Sequence, residues 1–126
     1  MARELAKSSD FKRIHIGCII TFNGVIISSG FNSNKTHPMQ KKYNKFRSSS
    51  DQNFVPKVHA EISALSKLQN SSLNPKRMKL FVYRIKQDGS YGMARPCASC
   101  MQAIKDFGIR KIYYTTDDGF AKEILR

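Results

Sequence analysis

Cys97 and Cys100 stand two residues apart behind Pro96 in the stretch PCASC (96–100), and the chain has one further cysteine, Cys18. A pair with this spacing can be a disulfide, a redox couple, half of a structural zinc knuckle, or part of a catalytic centre. If CASCMQAIKDF (97–107) is a helix, both thiols lie on one side of its first turn, where free N–H groups and the helix dipole favour thiolates. Two soft anionic ligands suit zinc, which takes four in all. A thioredoxin-type redox pair follows the first strand of a βαβ unit, whereas this pair comes late in the chain. A zinc ribbon requires a second Cys-x-x-Cys, and Cys18 sits alone in an apolar run, where it reads as a small buried hydrophobe.

Three histidines are available as a third ligand. His15 lies near the start of a strand and His37 precedes Pro38 in a basic stretch, while His59 begins a helix as His59-Ala60-Glu61. Side chains of a helix's first turn fan around its open end, so His59 and Glu61 can face one pocket beyond it. Three protein ligands leave the fourth zinc position for water, which marks a catalytic rather than a structural site. Zinc lowers the pKa of that water toward about 7. A neighbouring carboxylate, Glu61, can take its proton and return it to a leaving nitrogen.

The elements that must hold these groups follow from patterning. IHIGCIITF (14–22) and VIISSGF (25–31) are β-branched runs joined by Asn23-Gly24, a strong hairpin signal because both positions accept positive φ. VHAEISALSKLQN (58–70) has apolar residues at 58, 62, 65 and 68, one helical stripe. KLFVYRI (79–85) is a strand ended by QDGSYG; 97–107 is a helix with Gly108 as its cap, and KIYYTT (111–116) is another strand. A short amphipathic helix is expected over 2–11, carrying Leu5 and Phe11. The order β-β-α-β-α-β implies a mixed sheet covered by helices. Consecutive helices in that order cross one face, so their N-termini can converge.

A chain of 126 residues corresponds to one domain, 1–126, able to bury a core without disulfides. No leading or later stretch has the apolar length of a signal or a membrane span, so the reading is a cytoplasmic protein with no membrane partner and no persistent disulfide. The net charge of +13 suits phosphates or a lysine-rich surface equally. Part of it is concentrated in the irregular stretch 33–57, where Lys35, Lys41, Lys42, Lys45, Arg47 and Lys57 face one acid, Asp51, and are interleaved with Tyr43, Phe46 and Phe54.

H-x-E at 59–61 followed by P-C-x-x-C at 96–100 is the signature of zinc deaminases acting on bases. With the leading hairpin, G-F-N (30–32), FVYRI and IYY, the sequence resembles the cytidine deaminase-like superfamily over most of its length. The resemblance implies an α/β three-layer sandwich of the cytidine deaminase type, with a mixed sheet of four to five strands flanked by helices. It implies zinc held by His59, Cys97 and Cys100, with Glu61 moving protons between water, ring nitrogen and departing ammonia. By the same resemblance, Asn32 would contact a sugar, the Ala60 backbone a base, and Tyr113 or Tyr114 would stand beside that base. For TTDDGFAKEILR (115–126) a hairpin at Asp118-Gly119 with FAKEIL as an antiparallel fifth strand is expected over a terminal helix.

Hydrolytic deamination of cytosine is therefore the expected activity. The expected partner is a cytosine-containing nucleotide or single-stranded nucleic acid, engaged by Lys41, Lys42, Lys45 and Arg47; a homo-oligomer is left open. The alternatives are a salvage deaminase of free (deoxy)cytidine or deoxycytidylate, a transfer-RNA adenosine deaminase, and a zinc-braced nucleic-acid-binding module. MQAIKDFGIRKI lacks the usual C-x-G-A-I of the adenosine enzymes, and Glu61 has no job in a purely structural site.

Overall fold

The computed structural model describes residues 15–32, 59–86 and 88–125. Strands β1 (His15–Phe22) and β2 (Val25–Phe31) form the expected hairpin, and Asn23 and Gly24 take φ of 51° and 84° at its turn. Helix α1 (Ala60–Ser66), strand β3 (Met78–Ile85), helix α2 (Ala98–Phe107), strand β4 (Lys111–Thr116) and strand β5 (Gly119–Ile124) follow. One five-stranded sheet runs in the order β2-β1-β3-β4-β5. Only the β3–β4 pair is parallel, joined by α2 as the crossover. The C-terminal hairpin and its antiparallel fifth strand are as expected, completing a mixed α/β sheet of five strands, but the turn is Asp117-Asp118 rather than Asp118-Gly119, because Thr116 pairs with Gly119, which opens β5. The helix expected over 2–11 and the basic stretch 33–57 lie outside the described residues.

Alternation along the strands sends Cys18, Ile20, Met78, Leu80, Val82, Ile112 and Tyr114 to the face covered by α1 and α2. Ile62, Leu65, Met101 and Ile104 come down onto them from the helices. Both described helices lie on this face and pack against each other, which brings their N-termini to the same end of the sheet. Gly30 makes the close seat of α1 feasible: a Cβ there would stand 2.7 Å from the Ala60 carbonyl oxygen and from Ala64 N. Glycine in a strand interior is the residue for such a backbone approach. Next to it, buried Ser28 donates its hydroxyl to the Ala64 carbonyl at 2.7 Å.

Helix α1 is shorter than the stripe at 58, 62, 65 and 68 suggests. His59 is its N-cap in extended conformation, and Lys67 its C-cap. Beyond it, the Leu68 N–H bonds Leu65 O and the Ser71 N–H bonds Leu68 O, so the chain leaves as tight turns through the poorly helical Asn70-Ser71-Ser72. Leu68 still reaches the core, at 9% exposed, which is why its position fits the stripe. Helix α2 ends as expected, with Gly108 at φ 106° accepting the left-handed cap.

Candidate metal centre

His59 and Cys97 are each the N-cap of their helix, both with extended backbone angles. That geometry aims the two side chains past the helix ends rather than along the helix flanks. Cys100 joins them from the first turn of α2. The ligand atoms of His59, Cys97 and Cys100 all lie within 4.8 Å of one another. His59 Nδ1 is 3.2 Å from Cys100 Sγ and 3.6 Å from Cys97 Sγ. Tetrahedral zinc, with bonds of about 2.0 Å to nitrogen and 2.3 Å to sulfur, spaces such atoms about 3.6 Å apart. The donor set and its spacing therefore fit zinc, and all three cysteines of the chain are free of disulfides.

The two thiols behave as one unit. A hydrogen bond from Cys100 is the main force holding Cys97 down to about 3, with His59 and Ser99 adding to it against the effect of burial. The same bond, and then burial, push Cys100 well above the ordinary thiol range. The pair thus carries one proton between them, and a metal that takes both sulfurs displaces it. Ser99, fully buried, places its hydroxyl 3.1 Å from Cys97 Sγ.

Glu61 is only 5% exposed and sits against this cluster. Burial raises its carboxyl above the usual range, the His59 charge opposes that, and a negative Cys97 adds to it. A carboxyl shifted upward in a closed site is suited to exchanging protons near neutral pH. Cys18, in the core beside α1, is raised by burial first and then by the Glu61 charge. It is not among the clustered ligands.

The segment before Cys97 is fixed to the sheet beyond the end of β3. The buried Thr115 hydroxyl accepts the Arg84 N–H at 3.0 Å and donates to the Gly92 carbonyl at 2.8 Å. The Ala94 N–H bonds Thr115 O at 2.9 Å. At the next residue, Arg95 forks onto Glu123 of β5, which also accepts the Tyr114 hydroxyl at 2.7 Å.

A cluster of metal-ligating side chains and a buried carboxylate thus sit on a mixed sheet with one parallel pair. The family model for the cytidine and deoxycytidylate deaminase zinc-binding region matches residues 1–116. The chain belongs to this family. It is a zinc-binding deaminase, a hydrolase acting on C–N bonds. Among solved structures, the apo dCMP deaminase from cyanophage S-TIM5 is 26% identical, covering 91% of this chain and 76% of that one with a TM-score of 0.61. The same phage enzyme in complex with dCMP and dUMP is 23% identical over 91% of this chain and 75% of that one, TM-score 0.62. A cytidine deaminase from Burkholderia pseudomallei shares the fold at 14% identity, covering 98% of this chain and 86% of that one, TM-score 0.61. A sequence comparison with curated proteins finds no significant match.

Among the residues expected around a base, the deaminase fold gathers some and separates others. Asn32 closes β2 at 6% exposed, its Oδ1 accepting the Ile16 N–H at 3.1 Å and its own N–H bonding Ile16 O at 3.2 Å. It thus ties the end of β2 to β1 at the end of the sheet where α1 begins. Ala60 is fully buried against the core, its carbonyl oxygen facing Gly30. Of the two tyrosines, Tyr114 faces the helices, but its hydroxyl is taken by Glu123. Tyr113 is turned to the other face, stacked on Phe81 at 4.9 Å under Lys122, and is not brought to the metal ligands. Strand alternation is the reason, since neighbours in a strand point to opposite faces. Lys41, Lys42, Lys45 and Arg47 lie outside the described residues.

Ser99 and Thr115 are the site residues that patterning missed. Nothing in PCASC distinguishes a serine that bonds Cys97 from one facing solvent. Thr115, inside KIYYTT, reads as an ordinary strand threonine. Gly30 did carry a signal, as a glycine in the interior of an apolar strand. No helix among the described residues is long and apolar enough to cross a membrane.

Proposed function

We propose that this deaminase hydrolyses the exocyclic amine of a cytosine that carries phosphate, as a nucleotide or within a single strand. His59, Cys97 and Cys100 would hold the zinc, whose chemistry when bound is to make water a nucleophile at neutral pH. Glu61 would accept the water's proton, pass it to the ring nitrogen, and deliver a proton to the departing ammonia. Its burial and raised affinity for protons suit both directions of that traffic. That burial, at 5% exposed, keeps solvent from competing for the same proton.

The observation carrying this reading is the convergence of His59, Cys97 and Cys100 within 4.8 Å at two helix starts, with the buried Glu61 beside them. The preference for phosphate has two supports. Lys41, Lys42, Lys45 and Arg47 fall in sequence between Asn32 and His59, and the 26% identical phage protein is a dCMP deaminase. Tyr43, Phe46 and Phe54 would give stacking surfaces to unpaired bases.

The test offers the zinc-loaded enzyme cytidine, deoxycytidine, their monophosphates, adenosine, and single-stranded and duplex DNA and RNA, reading amine-to-carbonyl conversion by mass. Conversion of cytosine with phosphate-bearing substrates preferred is expected, and single strands should exceed duplexes, which must first be opened. Replacing Lys41, Lys42, Lys45 and Arg47 together by glutamine should raise KM for those substrates and spare the nucleosides. Preferred turnover of free nucleosides, unchanged in that variant, would assign the chain to nucleoside salvage instead.

A further inference from the structure

Eleven lysines and arginines lie within the described residues. Five have partners: Lys67 on Ser29 O, Arg84 on Met93 O, Lys86 on Asp117, Arg95 on Glu123, and Lys122 over the Tyr113 ring. The other six, Lys76, Arg77, Lys79, Lys105, Arg110 and Lys111, have no ion pair, side-chain hydrogen bond or ring contact among the described residues. All six border two recesses at the end of the sheet where β3 and β4 begin.

One recess, about 330 Å³, lies between the 3₁₀ turn Pro75–Arg77 and the end of α2, bordered by Lys76, Lys105 and Arg110. The second, also about 330 Å³, lies beside the Asn23–Gly24 turn, bordered by Lys76, Arg77, Lys79 and Lys111. Lys76 is common to both, and no acidic side chain lines either. Lys79 and Lys111 are register partners on adjacent strands, so two like charges stand side by side. Such a pair is unfavourable in the isolated protein and is relieved by an anion.

The extent of the surface narrows the ligand. A single phosphate ion occupies only a fraction of one recess, whereas two recesses that share Lys76 have room for successive phosphates of one strand. The apolar lining residues Met78, Ile109 and Leu125 are buried, so the recesses themselves offer no exposed apolar anchor for a protein partner; the exposed Val25, Leu73 and Ile124 lie outside their lining. The recesses lie at the opposite end of β3 and of α2 from Cys97, the first of them roughly 16 Å away along α2.

We propose that this end of the sheet binds the phosphate backbone of a polynucleotide, without base preference and independently of the metal centre. The site holds the enzyme on nucleic acid whichever cytosine substrate the metal centre takes.

The test uses the zinc-loaded enzyme and a fluorescent oligothymidylate, which contains no cytosine. Anisotropy should show binding that weakens with salt at a log–log slope of about −4, for six phosphate contacts at about 0.7 each on a single strand. Lys76→Glu with Arg110→Glu should weaken binding tenfold or more and flatten the slope by at least about 1.4. Deamination of deoxycytidine monophosphate should be unchanged. Lys79→Gln with Lys111→Gln serves as a second variant and should weaken binding in the same direction. Four results would each overturn the proposal. These are no binding by the parent, equal binding by both variants, displacement of the oligonucleotide by micromolar inorganic pyrophosphate, and equally tight binding to phosphatidylserine vesicles with the same residue dependence.

Discussion

At the end of the sheet where β2 and β3 finish, Glu61, His59, Cys97 and Cys100 are drawn into one cluster and answer one another; where β3 and β4 begin, Lys76, Lys79, Arg110 and Lys111 are exposed and have no ion pair among the described residues. Glu61, His59, Cys97 and Cys100 set one another's proton affinity, and even the outer Arg95 is forked onto Glu123. Lys76, Lys79, Arg110 and Lys111 touch no opposite charge among the described residues. The contrast separates two uses of charge. In low dielectric a few groups at fixed distances control where a proton resides. In water only their number and sign matter, as a field that salt weakens. Substitutions at the first end should therefore act on metal, chemistry and stability, and at the second on salt-dependent binding.

The largest effect is expected from the ligands. Cys97→Ser or His59→Ala should lower zinc from about one per chain toward none, abolish turnover and reduce the melting temperature, because metal binding and folding are coupled. Elemental analysis, activity and thermal melting check this. Cys18→Ala, in the same core but outside the cluster, should retain its zinc. A metal-free Cys97→Ser protein that still turned over would break the division between the two ends.

Next is Glu61→Gln, which keeps the volume and removes the proton acceptor. Zinc and melting temperature should be retained while kcat falls by roughly 10²- to 10⁴-fold, the usual worth of a positioned acid–base group. Turnover within a fewfold of the parent would show that the buried carboxyl serves packing alone.

Much of this end was legible in the sequence because its chemistry depends on residue type at fixed spacing. Asn23-Gly24, the apolar alternation of β1 and β3, and Gly108 each act locally, so the strands and the end of α2 follow from them. His59-x-Glu61 and Cys97-x-x-Cys100 are local in the same sense, and their meeting requires only two helices on one face. The true end of α1 was not legible, since Leu68 reaches the core from a turn and mimics another helical position. Nor was the choice between Tyr113 and Tyr114, because alternation gives opposite faces without saying which face the helices cover. Thr115 and Glu123 escaped because their partners, Gly92 and Arg95, are more than twenty residues away. The rear cations were hidden by the overall charge, which counts lysines without saying which of them are paired.

Thr115→Val should act less strongly, because the residue touches no metal ligand yet fixes the segment leading to Cys97. Valine keeps the shape and leaves the Arg84 N–H and Gly92 carbonyl without the hydroxyl. Stability should fall by about 2–6 kcal/mol, from one part-buried and one buried polar group at about 1–3 kcal/mol each, as read by chemical denaturation. Zinc should also be lost more readily to a competing chelator. A fall in stability with unchanged zinc affinity would mean that this segment is a strut for the sheet rather than a support for Cys97.

The smallest effect is expected at Glu123→Gln, where the pairing pattern of the catalytic end meets solvent. The Arg95 and Glu123 side chains are 51% and 31% exposed, so water screens their pairing despite the forked geometry. Exposed pairs of this kind contribute about 0–1 kcal/mol. Glutamine can still accept from the Tyr114 hydroxyl, so the change isolates the charge from the hydrogen bond. Denaturation midpoints should shift by less than about 1 kcal/mol in stability, with the shift shrinking as salt rises, and kcat should stay at the parent's value. A tenfold loss of kcat with stability intact would place Arg95 and Glu123 among the groups that position Cys97. The boundary between the two uses of charge would then run outside this pair rather than through it.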